Sequence, residues 1–119
     1  MSAADTVQML TEHPNRAVTP ALSDYDAHSE GWSETEFQVE TGPSTVAGRW
    51  VGEPGWVEFD SWPYREFCVI VSGRVAVESS DGTQRFEYGP GDAFTIPQGF
   101  SGRWVTLEPT RKVFIGVTE

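Results

Sequence analysis

The chain has 119 residues, enough for one compact domain that folds without disulfides or a structural metal, and few for two. Its 18 acidic against 8 basic side chains give a net charge of −10, a field that repels phosphate backbones and anionic lipid, so neither nucleic acid nor a membrane is an expected partner. The single cysteine, Cys68, cannot form an internal bridge, and no apolar run reaches the roughly 18 residues that span a bilayer; a reducing, cytoplasmic location is expected.

The N-terminal stretch lacks a basic start followed by an apolar block, so no signal peptide is expected. Residues 1–42 read as a polar, irregular arm broken by Pro14 and Pro20, with room for a helical turn or two over residues 3–12 around Val7 and Leu10. Within the arm, "TEFQVE" (35–40) alternates Phe37 and Val39 with polar neighbours, the pattern of a short edge strand that offers pairing to a second subunit.

Residues 43–119 form the domain proper. Short runs rich in Val, Phe, Trp and Ile recur between turn signals, which predicts an all-β antiparallel sandwich or barrel. "STVAGRWV" is broken by "GEPG", "WVEFDSW" ends at Pro63, and "EFCVIVSGRVAVES" leads into Asp81-Gly82, a hairpin signal because the turn needs positive φ. "TQRFEY" returns, "GPGD" turns again, and "AFTIP" follows as a buried strand. After the loop "QGFSG", "RWVTLEP" and "RKVFIGV" read as a closing pair, with Leu107, Val113, Ile115 and Val117 as core.

Two spacings carry a family resemblance. Six residues separate Glu66 from Gly73, five separate Gly91 from Pro97, and the seventeen between Gly73 and Gly91 suit a hairpin. This resembles the paired motifs of cupins, and residues 45–117 are similar to the subfamily of ureidoglycine aminohydrolase-like and ethanolamine-utilisation Q-like domains. The resemblance implies a single-domain cupin jelly-roll β-barrel (RmlC-like) preceded by the irregular arm. It also implies a role in the metabolism of a small nitrogen compound: an amine, amino acid or ureide.

The metal ligands of such a domain are missing. Metal-binding cupins place two histidines shortly before the glutamate and one three residues after the glycine that closes the second motif, here Gly99. Here those places hold Asp60 and Trp62, or Phe59 and Ser61, and then Gly102. One carboxylate gives a transition metal little affinity without imidazole or thiolate, so neither metal nor other cofactor is expected. Strand alternation puts Cys68 on the same face as Glu66 and Ile70, where Asp60 could join them in a substitute site; a buried free cysteine is more commonly a small core residue. His13 and His28 lie in the polar arm and read as solvated surface residues.

An inward-facing Glu66 needs hydrogen bonds, a cation or a raised pKa. Large polar-edged rings stand around it in sequence: Trp50, Trp56, Trp62, Tyr64 and Trp104, with Trp104 inward and Arg103 outward when counted by twos from Gly102. The candidate ligand-binding set is Trp62, Tyr64, Glu66, Cys68 and Trp104. Three readings follow. The first is a small-molecule-binding protein; the second is a metal-independent lyase, hydrolase or isomerase with Glu66 as acid–base and Tyr64 as its hydrogen-bond partner. The third is a dimeric scaffold in which Glu66 is structural, held by backbone N–H groups, Tyr64 or an internal arginine. A homodimer is expected in each, and turnover is left open.

Overall fold

The computed structural model describes residues 7–119. Eleven strands follow one another: β1 (Ala17–Val18), β2 (Ala27–His28), β3 (Glu34–Thr41), β4 (Thr45–Gly52), β5 (Gly55–Phe59), β6 (Arg65–Ser72), β7 (Val75–Ser79), β8 (Arg85–Tyr88), β9 (Ala93–Ile96), β10 (Gly102–Thr106) and β11 (Thr110–Val117). They form a six-stranded sheet, ordered β1-β3-β4-β11-β6-β9, and a five-stranded sheet, ordered β2-β5-β10-β7-β8, with antiparallel pairing throughout. The helical turns expected over residues 3–12 lie partly outside the described residues, and residues 7–12 are without regular structure.

The expected closed barrel is not formed. Each sheet ends in edge strands, β1 and β9 in one and β2 and β8 in the other, whereas a closed barrel gives every strand two neighbours. The physical reason is visible where the chain passes from β8 to β9. Residues 89–92 make a turn with Gly91 at φ +87°, Pro90 has no N–H to donate, and β9 pairs with β6 instead of β8. The seam between β8 and β9 is filled by stacked rings, Tyr88 on Phe94 with centroids 3.8 Å apart, rather than by a ladder of hydrogen bonds. The molecule is a two-sheet jelly roll with open seams.

Strand phase also departs from expectation in two places. In β11 the buried residues are Thr110, Lys112, Phe114 and Gly116, while Ile115 is 39% exposed and Val113 and Val117 are half-buried. Leu107, also expected in the core, lies outside it. Moreover β10 and β11 are not paired: β11 lies between β4 and β6, and β10 between β5 and β7. In β3, Glu34 is buried and Glu36 half-buried on the inner face. That strand pairs with β4 along its length, and its other side, expected to be an edge, is paired only at Glu36 and Phe37, with the two-residue β1. Its outer face is covered by the chain's own N-terminal segment: Arg49 donates to the Leu10 carbonyl (2.8 Å), Arg16 reaches the Val39 carbonyl, and Arg111 pairs with Glu12 at 3.0 Å. Under this cover Val39 is buried, although it faces away from the core between the sheets.

The core between the sheets contains Trp50, Val57, Trp62, Cys68, Ile70, Val75, Val77, Ile96, Trp104 and Phe114. Burial of this much aromatic and branched surface, at about 25 cal/mol per Å², holds the two sheets together. It also encloses the polar groups described next.

Candidate functional site

Glu66 sits at the start of β6 with Cys68 and Ile70 on the same inward face, as period-two alternation requires. Its carboxylate is fully partnered. Lys112 Nζ donates to Oε2 at 2.6 Å, the Cys68 thiol donates to the same oxygen at 3.0 Å, and the Trp62 indole donates to Oε1 at 3.1 Å. Lys112 reaches Glu66 from the neighbouring strand β11, running past Phe114 toward the end where Gly116 pairs with Glu66. Its ammonium lies 3.8 Å from the Trp104 ring centroid and 4.9 Å from that of Trp50. The internal cation is therefore a lysine, and it is stabilised by a carboxylate on one side and aromatic faces on the other.

Burial alone would raise the Glu66 pKa, but the Lys112 charge and the donated hydrogen bonds outweigh it and hold the carboxyl below its ordinary value. For Lys112, burial lowers the pKa, and the neighbouring Cys68 and Glu66 outweigh that, so the ammonium is held protonated. Burial, then the Glu66 charge, pushes the Cys68 thiol well above its usual value. Near neutral pH the cluster is thus carboxylate, ammonium and neutral thiol, an arrangement of low nucleophilicity.

A second buried carboxylate lies at the N–H edge of the Trp50 indole. Glu34, buried on β3, accepts from the Trp50 indole at 2.9 Å on Oε1, and from the Tyr25 hydroxyl and the Trp32 indole on Oε2. Next along the same face is Glu36, to which Gln38 donates at 2.9 Å; its pKa is raised, with burial the principal cause. Burial and the nearby Glu66 and Glu36 charges raise the Tyr64 pKa, keeping the phenol neutral.

These groups surround one small cavity of about 50 Å³, lined by Glu34, Glu36, Glu66 and Lys112 among the rings of Tyr25, Trp32, Trp50, Trp62, Tyr64 and Trp104, with Val57 and Phe59 completing the wall. A wider depression of about 440 Å³, on the side of the N-terminal arm, shares Tyr25, Glu36, Phe59 and Tyr64 with it. Glu36 and the three rings therefore stand at the throat between solvent and the inner cavity.

Local sequence explains the placement. The loop before β6 is locked to the loop after β9 by two backbone bonds, Trp62 N–H to the Phe100 carbonyl and Gly99 N–H to the Trp62 carbonyl, both 2.8 Å, with Gly99 at φ +86°. This turns Trp62 inward over Glu66. Tyr64 packs its ring on Gly116, where a Cβ would come within 2.9 Å of it. Trp104 is buried and its indole donates to Thr106 at 3.0 Å, while Arg103 points outward over Trp56, 3.7 Å from the ring centroid.

Four of the sequence-selected residues, Trp62, Tyr64, Glu66 and Trp104, line the cavity, and Cys68 lies just beneath it, bonded to Glu66. Tyr64 is not a hydrogen-bond partner of Glu66; the donors are Trp62, Cys68 and Lys112. Asp60 is exposed, so it does not join Glu66 and Cys68. At the place of the third histidine, a Cβ on Gly102 would collide with the Glu78 carbonyl and the Phe100 ring. His13 and His28 are exposed, bonded to Asn15 and Ser29. Among the described residues, no group of three or more His, Cys, Asp or Glu side chains is arranged to hold a metal ion. None of the helical elements among the described residues is long and apolar enough to cross a membrane.

Lys112, Glu34, Glu36, Tyr25 and Trp32 were not anticipated as site residues. The available signal was the charge itself: Lys112 interrupts an apolar strand, and "ETEFQVE" places carboxylates at alternate positions. Alternation leaves open which face is inner.

The model of the EutQ-like cupin domain matches residues 39–114. No curated protein matches the chain. Among solved structures, a Salmonella typhimurium LT2 protein described as ethanolamine utilization protein Q is 21% identical, covering 74% of this chain and 72% of that one, with a TM-score of 0.64. The Clostridium difficile EutQ protein superposes with a TM-score of 0.67 at 13% identity over 85% of this chain and 81% of that one. A DUF861 family protein from Thermotoga maritima is 32% identical, covering 57% of this chain and 75% of that one, with a TM-score of 0.52. The chain belongs to the EutQ-like cupin family.

Proposed function

We propose that this cupin binds a compact nitrogen-containing metabolite, an amine, amino acid or ureide-like compound, in the aromatic cavity beside Glu66, with Trp62, Tyr64 and Trp104 as walls. The observation that carries the reading is the charge balance of the lining. Three carboxylates, Glu34, Glu36 and Glu66, face one cation, Lys112, which Glu66 already neutralises. A cavity with surplus negative charge and exposed ring faces favours N–H donors and ammonium groups. Its volume of about 50 Å³ is far below the roughly 300 Å³ at which drug-sized pockets begin, which restricts the ligand to a few heavy atoms.

Binding is favoured over acid–base turnover by the direction of the Glu66 pKa. A carboxyl held below its ordinary value is a weak proton donor near neutrality. The carboxyl better suited to exchange a proton is Glu36, whose pKa is raised. The cavity also argues against a purely structural interior.

The test is a thermal-shift and calorimetric screen of small amines, amino acids and ureides beside neutral alcohols of the same size. The expected result is stabilisation by nitrogenous compounds alone, lost in Glu36→Gln. Equal response to amines and alcohols, or no response to any, overturns the reading; release of product from a bound compound converts it to an enzyme.

A further inference from the structure

The inner cavity and the wider depression beside it share Tyr25, Glu36, Phe59 and Tyr64, so one passage joins a space of about 50 Å³ to one of about 440 Å³. The larger space has its own chemistry. Two carboxylates, Asp24 and Glu36, line it, and no lysine, arginine or histidine does among the described residues. Between the carboxylates lie the rings of Tyr25, Phe59 and Tyr64, with Pro20 and Pro63 beside them.

The carboxylates along this passage differ in what they have left to offer. Glu66 is neutralised by Lys112. Glu34 accepts from three neutral donors, which satisfy its oxygens but leave its charge in place. Glu36, at the throat, accepts one hydrogen bond among the described residues, from Gln38, and so keeps acceptor positions free. Asp24, exposed at the outer end, makes no ion pair among the described residues. Negative charge is therefore uncompensated at both ends, and a cleft lined by one sign of charge between apolar walls focuses its field on a cation of opposite sign.

From this we propose that the ligand is a linear diamine, with one ammonium in the inner cavity beside Glu34 and Glu36 and the other in the outer depression by Asp24. The methylene chain between them passes the Phe59 and Tyr64 rings, a surface that favours apolar groups. The proposal rests on the reading of the cavity as a site for nitrogen compounds and narrows it to dications. A monoamine answers the inner charge alone. The carboxylate of an amino acid would face Asp24 and Glu36 without a cation to receive it, and a ureide carries no charge for either end.

The experiment is calorimetric titration of the full chain at neutral pH and low ionic strength, where exposed charges act over the longest range. Ethylenediamine, tetramethylenediamine and hexamethylenediamine are compared, and the tightest of them is set against the monoamine and the amino alcohol of its own chain length. The diamine is expected to bind about tenfold more tightly than either, since only its second charge can engage the outer carboxylate and rings. Asp24→Asn should reduce that advantage by about threefold and Asp24→Lys should abolish it; the side chain is exposed, so neither substitution disturbs the core. Glu108→Gln, which removes an equally exposed carboxylate between β10 and β11, outside both spaces, should leave the advantage intact and so controls for net charge. Monoamines that bind as tightly as diamines overturn the proposal while leaving a site for nitrogen compounds, as does a diamine preference indifferent to both Asp24 substitutions or equally reduced by Glu108→Gln. Failure of every amine to bind, with amino acids and ureides also inert, overturns the underlying reading as well.

Discussion

Glu66 and Glu34 are buried carboxylates lining one cavity, and they are stabilised by different means. Glu66 is held by a charge, the Lys112 ammonium, supplemented by a thiol and an indole. Glu34 is held directly by neutral donors, two indoles and a phenol, two of them supplied by the segment that precedes β3. The Glu66 centre is thus built within the core strands β6 and β11 and the loop beside them. The Glu34 centre pins Tyr25 and Trp32 over the cavity. One cavity therefore has a wall fixed by an ion pair and a cover fixed by hydrogen bonds, and the two should respond differently to mutation and to pH.

The largest difference is expected from Lys112→Met. It keeps the packing against Trp104 but strands the Glu66 carboxylate, and loss of one partner from a buried pair destabilises by about 3–5 kcal/mol. Urea unfolding at neutral pH measures this, and adding Glu66→Leu should recover most of the loss. The same pair sets the acid limb of the stability profile. Since the folded pKa of Glu66 lies below its unfolded value, its contribution is present above the unfolded pKa and is lost as pH falls through the folded one. In Lys112→Met, stability should instead improve on mild acidification.

Glu34→Gln should cost less, about 1–3 kcal/mol, because the amide keeps one acceptor oxygen and leaves some of the three donors unsatisfied. Limited proteolysis should then cut first in the segment around Tyr25 and Trp32, while the β6–β11 pairing stays protected from hydrogen exchange. If the β6–β11 amides lose protection equally, the two centres are one cooperative unit and the contrast fails.

Trp62→Phe removes one donor from Glu66 and retains the ring. About 1 kcal/mol is expected, with no effect on Glu34 or its cover. Glu36→Gln is the smallest change and has the opposite sign. A raised folded pKa contributes stability below the unfolded pKa that is lost as pH rises through the folded one, so replacing the carboxyl should slightly stabilise the protein at neutral pH. Thermal melts at acid and neutral pH suffice to check it. A destabilised variant at neutral pH would mean that Glu36 has a cationic partner not accounted for by its present contacts.

Much of the site was legible in the sequence around Glu66. The motif spacing and alternation put Glu66, Cys68 and Ile70 on one face, Trp104 inward and Arg103 outward, and the rings of Trp62 and Tyr64 beside the acid. The cation was not legible. In "TRKVFIGV" alternation marks the apolar residues Val113, Ile115 and Val117 as the buried set, yet the inner face is Thr110, Lys112, Phe114 and Gly116. The same inversion hid Glu34 and Glu36. Both errors have one cause: in β3 and β11 most apolar residues fall on the outer face, and the inner face carries the polar groups Glu34, Glu36 and Lys112, so hydrophobic alternation gives the period without the phase.

By itself, then, the sequence determined local quantities: the all-β class, turn positions at Gly73, Gly82 and Gly91, the cupin spacing, and the lack of histidines at its ligand positions. These depend on backbone sterics and side-chain identity within a few residues. The tertiary structure alone decided which face of β3 and β11 turns inward, that Lys112 meets Glu66 across 46 positions of sequence, and that the sheets stay open at the Tyr88–Phe94 seam. Those outcomes depend on which distant strand becomes the neighbour. A charge is tolerated inside only where another segment supplies its partner, and that pairing is a property of the folded whole.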